Sequence, residues 1–497
     1  MPLLLSRTAL SSLPASVAVP RYEIDTVPVG IVHIGIGAFH RAHQAVYTDD
    51  ALALAGGPWG ICGISLRSPD VRERLNAQDC LYTVVEKARA GTAYRVVGSV
   101  REVLFRGNDL DAILARMVAP ATRIVSLTIT EKGYCHDPAR GELNLAHPDV
   151  VHDLALPEDP VSAIGLVVLA LDRRRASGAG PLTVLCCDNL PHNGRLVEGM
   201  VGTYARERDP ALAAWIAANV TFPSTMVDRI VPATTESDLA DVDGALGLLD
   251  AAPVVCEPFR QWVIAGEFAA GRPAWERSGA QFVADVAPFE AMKLRLLNAS
   301  HSMFAYLGYL AGFETIWQVA AQPDFVALMR ALMDETTPTL ALPADVDLGA
   351  YKAALVERFG NPALPHRTQQ IAMDGSQKLP QRLLGTVRDN LAAGRPIDCA
   401  ALAVAGWMRY VAGIDEAGRA IRVSDPLAAD FARVVAEHGA DTAGLARGLL
   451  DLSAIFGTDL PADPRFVVPV TRALASLFAE GAARTVAAAA RRQSPVL

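Results

Sequence analysis

The chain has 497 residues, of which 51% are hydrophobic and 20% charged, and its formal net charge is −9. This length predicts two large domains or three of ordinary size, and the composition excludes a disordered chain. The acidic balance argues against nucleic acid, whose phosphates require clustered Lys and Arg; the runs at 173–175 and 491–492 are too short for that and read as solvated faces or helix ends.

The seven cysteines (62, 80, 135, 186, 187, 256 and 399) are odd in number, scattered and free of any CxxC pair. A disulfide framework or a structural zinc site is therefore not expected. The first residues, MPLLLSRTALSSLP, lack the apolar core of a secretory signal, and no 18-residue apolar span free of charge occurs. The expectation is a cytoplasmic protein with no membrane partner.

In chain order, 1–28 reads as an irregular or partly helical lead-in. The run 30–35 is a buried strand, 36–38 a turn, and 39–54 a helix. A second buried strand covers 59–66. A hairpin is expected from 82–87 and 94–100, with its turn at 89–92. A helix at 109–117, a strand at 123–130, a helix at 164–175 and a strand at 182–187 come next. Apolar strands alternating with helices predict a parallel sheet covered on both faces, an α/β doubly wound arrangement of Rossmann type. From residue 288 onward helical patterns dominate, in eight segments ending at 464–490. The predicted division is 1–285 for the sheet domain and 286–497 for a mostly helical one.

Five stretches carry candidate chemistry. Gly35-Ile36-Gly37-Ala38-Phe39-His40 joins the first strand to the first helix. A dinucleotide fingerprint needs glycines for a tight turn and close approach of pyrophosphate, and here His40 replaces the third glycine. After the second strand, Asp70 is placed to accept from adenosine ribose hydroxyls, which favours NAD over NADP, while Arg67 suits a 2′-phosphate; Ser68 or Asp70 equally suits a helix cap. Residues 187–194 (CDNLPHNG) end a buried strand at the sheet's carboxyl edge. There Asn189 offers donor and acceptor together, and Asn193 reads as a cap of the next helix. In 222–232 (FPSTMVDRIVP), Asp228 and Arg229 form either a site pair or a buried structural ion pair.

The fifth stretch is the helix at 288–313. With 100° per residue, Glu290, Lys293, Asn298 and His301 share one face, together with Leu297 and Phe304. Alone, Lys293 reads as a surface lysine and His301 as a core histidine. As a set on a mostly apolar helix, they describe a desolvated lysine able to act as a general base.

These stretches together resemble the polyol-specific long-chain dehydrogenase/reductase, or mannitol dehydrogenase, family. The carrying residues are GIGAFHRAHQ (35–44), TITEKGYC (128–135), CDNLPHNG (187–194), FPSTMVDRIVP (222–232), VCEPFRQWVI (255–264) and the pattern Lys293-x4-Asn298-x2-His301. The likeness spans about residues 30–478 and leans to the mannitol-oxidising branch. It implies an NAD-binding Rossmann-type domain, a helical substrate domain, a monomer, and metal-free oxidation of a polyol's secondary alcohol to a ketose, mannitol to fructose. It further implies Lys293 as base, Asn189 and Asn298 as amides on the reacting oxygen, His301 as its orienter and Glu290 as proton relay. Asp228 and Lys378 fall to the substrate and Glu131 to the cofactor side; Lys378 or Arg229 could supply the cation that a uronate carboxylate needs.

Two departures from the family pattern bear on substrate and cofactor. Gln370 stands where the mannitol branch has arginine, and Pro69 stands where an acid would flank Asp70. The alternatives are a fructuronate reductase, an arabinitol or sorbitol dehydrogenase, a zinc-dependent polyol dehydrogenase and, in another class, a catalytically silent nucleotide-binding sensor.

Overall fold

The computed structural model describes residues 3–137, 141–439 and 441–493, which form two compact units, residues 1–287 and 288–497. The first is built on six parallel strands: β1 (Val29–Ile34), β2 (Gly60–Ser65), β3 (Val100–Phe105), β4 (Ile124–Leu127), β5 (Leu182–Cys186) and β6 (Val220–Thr221), in the order β3-β2-β1-β4-β5-β6. This is the dinucleotide-fold order, with the reversal of strand order between β1 and β4. Alternate residues of each strand enter separate cores. Val32, Ile34, Cys62, Ile64, Val125, Leu127 and Val184 face one; Ile31, Ile61, Ile124 and Leu185 face the other. Burial on both faces is why these strands read as unbroken apolar runs.

The strands are covered by helices that include α1 (Ala38–Ala42), α2 (Gln44–Ala55), α3 (Ala163–Ser177) and α4 (Asn193–Arg208). The boundaries of α3 come from local chemistry. Ser162 Oγ accepts the Gly165 N–H at 2.9 Å, and Gly178 closes the helix in the left-handed region at φ 67°.

Among the described residues three further sheets are present: one contains the expected hairpin, one is three-stranded, and one is the short antiparallel pair His136–Asp137 and Glu142–Leu143. The hairpin Tyr82–Ala88 and Gly91–Val97 is flanked by short parallel strands at Val17–Ala18 and Val254–Cys256. Ser224–Asp228, Gln261–Ala265 and Gln281–Val283 form the three-stranded sheet. The expected second hairpin strand, 94–100, is divided. It stops at Val97, and Val100 opens β3, because Gly98 donates its N–H to Asp49 Oδ1 (2.9 Å) and leaves the ladder.

Apart from bridges formed by isolated residues, the second unit is helical among its described residues. It includes α5 (Ala299–Leu310), α6 (Gly375–Leu379), α7 (Gly385–Ala392) and α8 (Asp398–Val411). The expected 464–490 helix is two, divided at Gly481 with φ 82°. The 288–313 stretch is also interrupted: an α-turn at Ala287–Met292 and α5 are separated by a π-helical turn, Lys293–Asn298. A second π turn, Pro380–Leu384, separates α6 from α7 and packs on the first. Uniform 100° steps therefore do not carry from Lys293 to Asn298 and His301, since the wider turn closes i→i+5 bonds and rotates the register of the residues after it.

Candidate active site

The first unit holds a nucleotide-type cradle. Gly35 has φ +99°, and a Cβ there would lie 2.1 Å from the Thr128 carbonyl oxygen, so only glycine is accommodated. Its own carbonyl accepts from Thr128 Oγ1 (2.8 Å) and lies 3.1 Å from His33 Nε2, while its N–H bonds Ile64 O (2.9 Å). At Gly37 a Cβ would meet nothing nearer than 3.9 Å. The turn from β1 into α1 is thus rigid at its first glycine and open at its second, as close approach of a pyrophosphate requires. Ile36 is buried, Ala38 opens α1, and the Phe39 ring lies 5.1 Å from that of His43.

His40 does not line an open surface. It is 1% exposed and stacks on His33 with ring centroids 3.3 Å apart. The position that would carry the third glycine thus holds a buried, stacked ring, and α1 ends at Ala42 in a kink at His43 (φ −121°, ψ −88°). Burial pushes both His33 and His43 down to about 3, and His40 well below the ordinary imidazole value.

Arg67 and Asp70 are exposed beyond the carboxyl end of β2. Ser68 Oγ accepts the Asp70 N–H (3.1 Å), and Ser65 Oγ donates to Ser68 O (2.5 Å), so the loop is tied from both sides and the Asp70 carboxylate stands at the first turn of the helix Asp70–Asn76. Glu131 is exposed on the four-residue helix Thr130–Gly133 after β4. Asp188 organises that segment. Its carboxylate accepts the N–H of Ile129 (2.8 Å) and Thr130 (3.1 Å) and the Tyr134 hydroxyl (2.7 Å). Burial raises the Asp188 carboxyl, and these three donors oppose the rise. The motif 187–194 contains this residue, but its partners 54 to 59 residues away leave no local signal.

Asn189 is exposed at the end of the β5 segment. Asn193, read as a cap, is instead a buried cross-tie. Its Nδ2 donates to Thr225 O (2.8 Å) and Asp188 O (3.1 Å), and its Oδ1 accepts the Thr225 N–H (2.8 Å). Asp228 is 5% exposed at the end of its strand. Arg229 is committed elsewhere: Nε donates to Glu257 O (2.9 Å), Nη1 to Ala42 O (2.5 Å), and Nη2 pairs with Glu86. Its ion-pair partner is the half-buried Glu86, and its fork is spent within the first unit.

The second unit carries the polar set. Lys293 is 8% exposed at the start of the π turn, and Asn298 closes that turn. Glu290 precedes them by one turn, half-buried. His301 on α5 is 9% exposed, with its ring 5.0 Å from Phe359 and 5.8 Å from His366, and its Nε2 has no hydrogen-bond partner. Burial holds His301 well below the ordinary range. The side chains that push it further down are His366, Arg382, Lys378 and Arg358, all basic. A neutral imidazole with an unpartnered buried nitrogen suits a ligand hydroxyl. Lys378 Nζ donates to Met373 O (2.5 Å) and Ile371 O (3.2 Å), and Gln370 is exposed on the short helix Thr368–Ile371.

Among the described residues, one group has donors close enough for a metal: Cys135, His147 and Asp149, within 4.8 Å of one another. It belongs to the first unit, where His147 Nδ1 accepts the Asp149 N–H (3.2 Å) as a helix cap, and burial pushes the Cys135 thiol up to about 11. No described helix is long and apolar enough to cross a membrane.

Residues 29–277 match the family described as the mannitol dehydrogenase Rossmann domain, and residues 285–478 the mannitol dehydrogenase C-terminal domain. The chain is 51% identical over 484 residues to D-mannonate oxidoreductase of Escherichia coli (strain K12), covering 96% of this chain and 99% of that protein. It is 40% identical over 479 residues to mannitol 2-dehydrogenase of Phaeosphaeria nodorum, covering 95% and 83%. Among solved structures, it resembles Pseudomonas fluorescens mannitol 2-dehydrogenase in a ternary complex with NAD and D-mannitol, with 41% identity, a TM-score of 0.85, and 99% and 100% of the two chains covered. It also resembles a substrate-free D-sorbitol dehydrogenase, with 36% identity, a TM-score of 0.90, and 97% and 100% covered.

Proposed function

The chain belongs to the mannitol dehydrogenase family, and from that premise we propose that it oxidises a secondary alcohol of an acyclic, sugar-derived acid, a hexonate such as D-mannonate, to the corresponding keto acid, with NAD as cofactor. The observation that carries the acid over a neutral polyol is the set around His301: the four side chains that bear on it most, His366, Arg382, Lys378 and Arg358, are all basic. Cations that bear on a site favour an anionic substrate there. The identity to D-mannonate oxidoreductase over nearly the whole chain supports the same reading.

The residues present fit the cofactor: the Gly35 turn leaves no room for a side chain, and the Gly37 turn is open. Gly35 through Ala38 would hold the pyrophosphate by main-chain N–H groups, and Asp70 the ribose hydroxyls. NAD supplies the hydride acceptor. The protein's own part is proton handling and orientation. Neutral Lys293 Nζ takes the proton of the reacting hydroxyl, and Glu290 passes it to solvent. Asn298, with Asn189 as the second amide, donates to the oxygen as negative charge develops. Neutral His301 orients that hydroxyl through Nε2. Lys378 and Asp228 are proposed contacts to the rest of the substrate chain.

D-mannitol is the second reading, favoured by the likeness to the mannitol 2-dehydrogenase complex. The two separate in one assay at 340 nm: NAD with D-mannonate or D-mannitol, and NADH with fructuronate or fructose. A kcat/KM for the acid pair at least about tenfold above the neutral pair is expected, a difference of about 1.4 kcal/mol. A preference for mannitol and fructose would overturn the acid reading, and no turnover with any of them would favour a nucleotide-binding sensor.

A further inference from the structure

Arg382 lies in the second π turn, Pro380–Leu384, against the first. Its Nη1 donates to the main-chain carbonyl of Asn298 (3.3 Å) and to Ser302 Oγ (3.0 Å), 84 and 80 residues away in sequence. The first π turn has a second tie: its Arg295 pairs with Asp389 of α7 at 2.5 Å and donates to Thr339 O at 3.2 Å. The two arginines differ in one respect. Arg295 has a carboxylate, whereas Arg382 has none within ion-pair distance among the described residues. Its charge is therefore uncompensated where it meets Asn298, Ser302 and the His301 helix.

A carbonyl oxygen has two lone pairs, so one at the end of a helical turn can take a side-chain donor as well as a helical one. At Asn298 that donor is the guanidinium. Asn298 is the residue whose amide must point at the reacting oxygen, and a turn of unusual register keeps its aim only while something outside the helix holds it.

We propose that Arg382 is a positioning residue of the dehydrogenase reaction. It holds the π turn so that the Asn298 amide and the His301 ring keep their places. The charged and titratable groups around His301 are His366, Arg382, Lys378 and Arg358, with Glu290 and Lys293 on the preceding turns of its own helix. Removing one cation lets that ring take up a proton more readily. The inference rests on the assignment of Lys293, Asn298 and His301 as the reacting set.

The test compares Arg382→Met and Arg382→Lys with the unaltered enzyme, with kcat and KM measured from pH 5 to 10 on whichever substrate the panel selects and NADH affinity measured by fluorescence. In Arg382→Met, kcat is expected to fall about a hundredfold, the scale of a misplacement near 1 Å. The acid limb of its profile should move to higher pH, while NADH binding stays unchanged. Arg382→Lys restores the charge without the fork, so its acid limb should return to the original position while kcat stays low. A hydrophobic or lysine replacement that lowers only the melting temperature, with kcat and the pH profile intact, would overturn the proposal. Lys293→Ala run beside them separates the two assignments. Turnover retained there removes the base on which the inference rests. Turnover lost there, with Arg382→Met unchanged in kcat and profile, removes the role of Arg382 alone.

Discussion

The rings of His33 and His40 lie face to face in the first unit, with centroids 3.3 Å apart and planes 13° from parallel. His33 is held at both nitrogens, within 2.8 Å of Ser126 Oγ and 2.9 Å of Thr128 Oγ1, and His40 packs on it with neither nitrogen bonded. Two rings this close are compatible only while both are neutral. Burial enforces that neutrality here and at His43, 2.8 Å from Gln261 O. The stack lies beside the Gly35 turn, so the turn's geometry depends on it.

The pH dependence of stability has a definite sign. His33 and His43 are pushed down to about 3 in the folded chain, against 6.5 for an ordinary imidazole. The unfolded chain binds protons first, so their contribution is fully present above pH 6.5 and is lost as pH falls toward 3. Each should cost about 1.4 kcal/mol per pH unit within that window. Urea unfolding at pH 7.5, 6.0 and 5.0 should show stability falling steadily, with a shallower fall in His43→Gln. A flat profile would contradict the neutral stack.

Gly35→Ala should both destabilise the chain and abolish cofactor binding. A Cβ would meet the Thr128 carbonyl oxygen at 2.1 Å, at a φ of +99° that side-chain-bearing residues rarely adopt. A loss of about 2 kcal/mol or more is expected, from overpacking and backbone strain together. Calorimetry for stability and NADH fluorescence for binding provide the check. Gly37→Ala, with no atom nearer than 3.9 Å, should leave stability almost unchanged and weaken only the cofactor.

Asp188→Asn removes one acceptor from a carboxylate that serves three donors, Ile129 N–H, Thr130 N–H and the Tyr134 hydroxyl. A buried donor left without a partner costs about 1–3 kcal/mol. The melting temperature should drop, and NAD affinity should weaken because the segment carrying Glu131 is released. Unchanged NAD affinity in a destabilised variant would confine Asp188 to a structural role.

Lys293→Ala should lower kcat by several orders of magnitude and leave NADH binding nearly intact, because an amine that acts only on the reacting proton contributes in the transition state alone. Near-native turnover in this variant would sink the base assignment.

Whatever short-range chemistry decides is legible in the amino-acid sequence. Apolar runs near 30–35, 59–66, 123–130 and 182–187, each leading into a turn and a helical period, are sufficient for the parallel sheet and for the glycine turn at its switch point, because strand burial and turn geometry are written within a few residues. Lys293, Asn298 and His301 are legible as a set because they are close in sequence, although the π turn changes the register between them.

Long-range packing settles where each polar group spends its hydrogen bonds. Arg229 looks available in the sequence and is consumed by Glu86, Ala42 and Glu257, between 28 and 187 residues away. His40 stands in the third glycine's place and is a stacked core ring, and Asn193 looks like a cap and ties two strands together. The π turn is invisible in the sequence because a one-residue change of helical register leaves no mark on composition. It is held by Arg382, whose partners Asn298 and Ser302 are fixed only once the chain has folded. Partner choice over such separations depends on which surfaces the core brings together, and no local pattern records that.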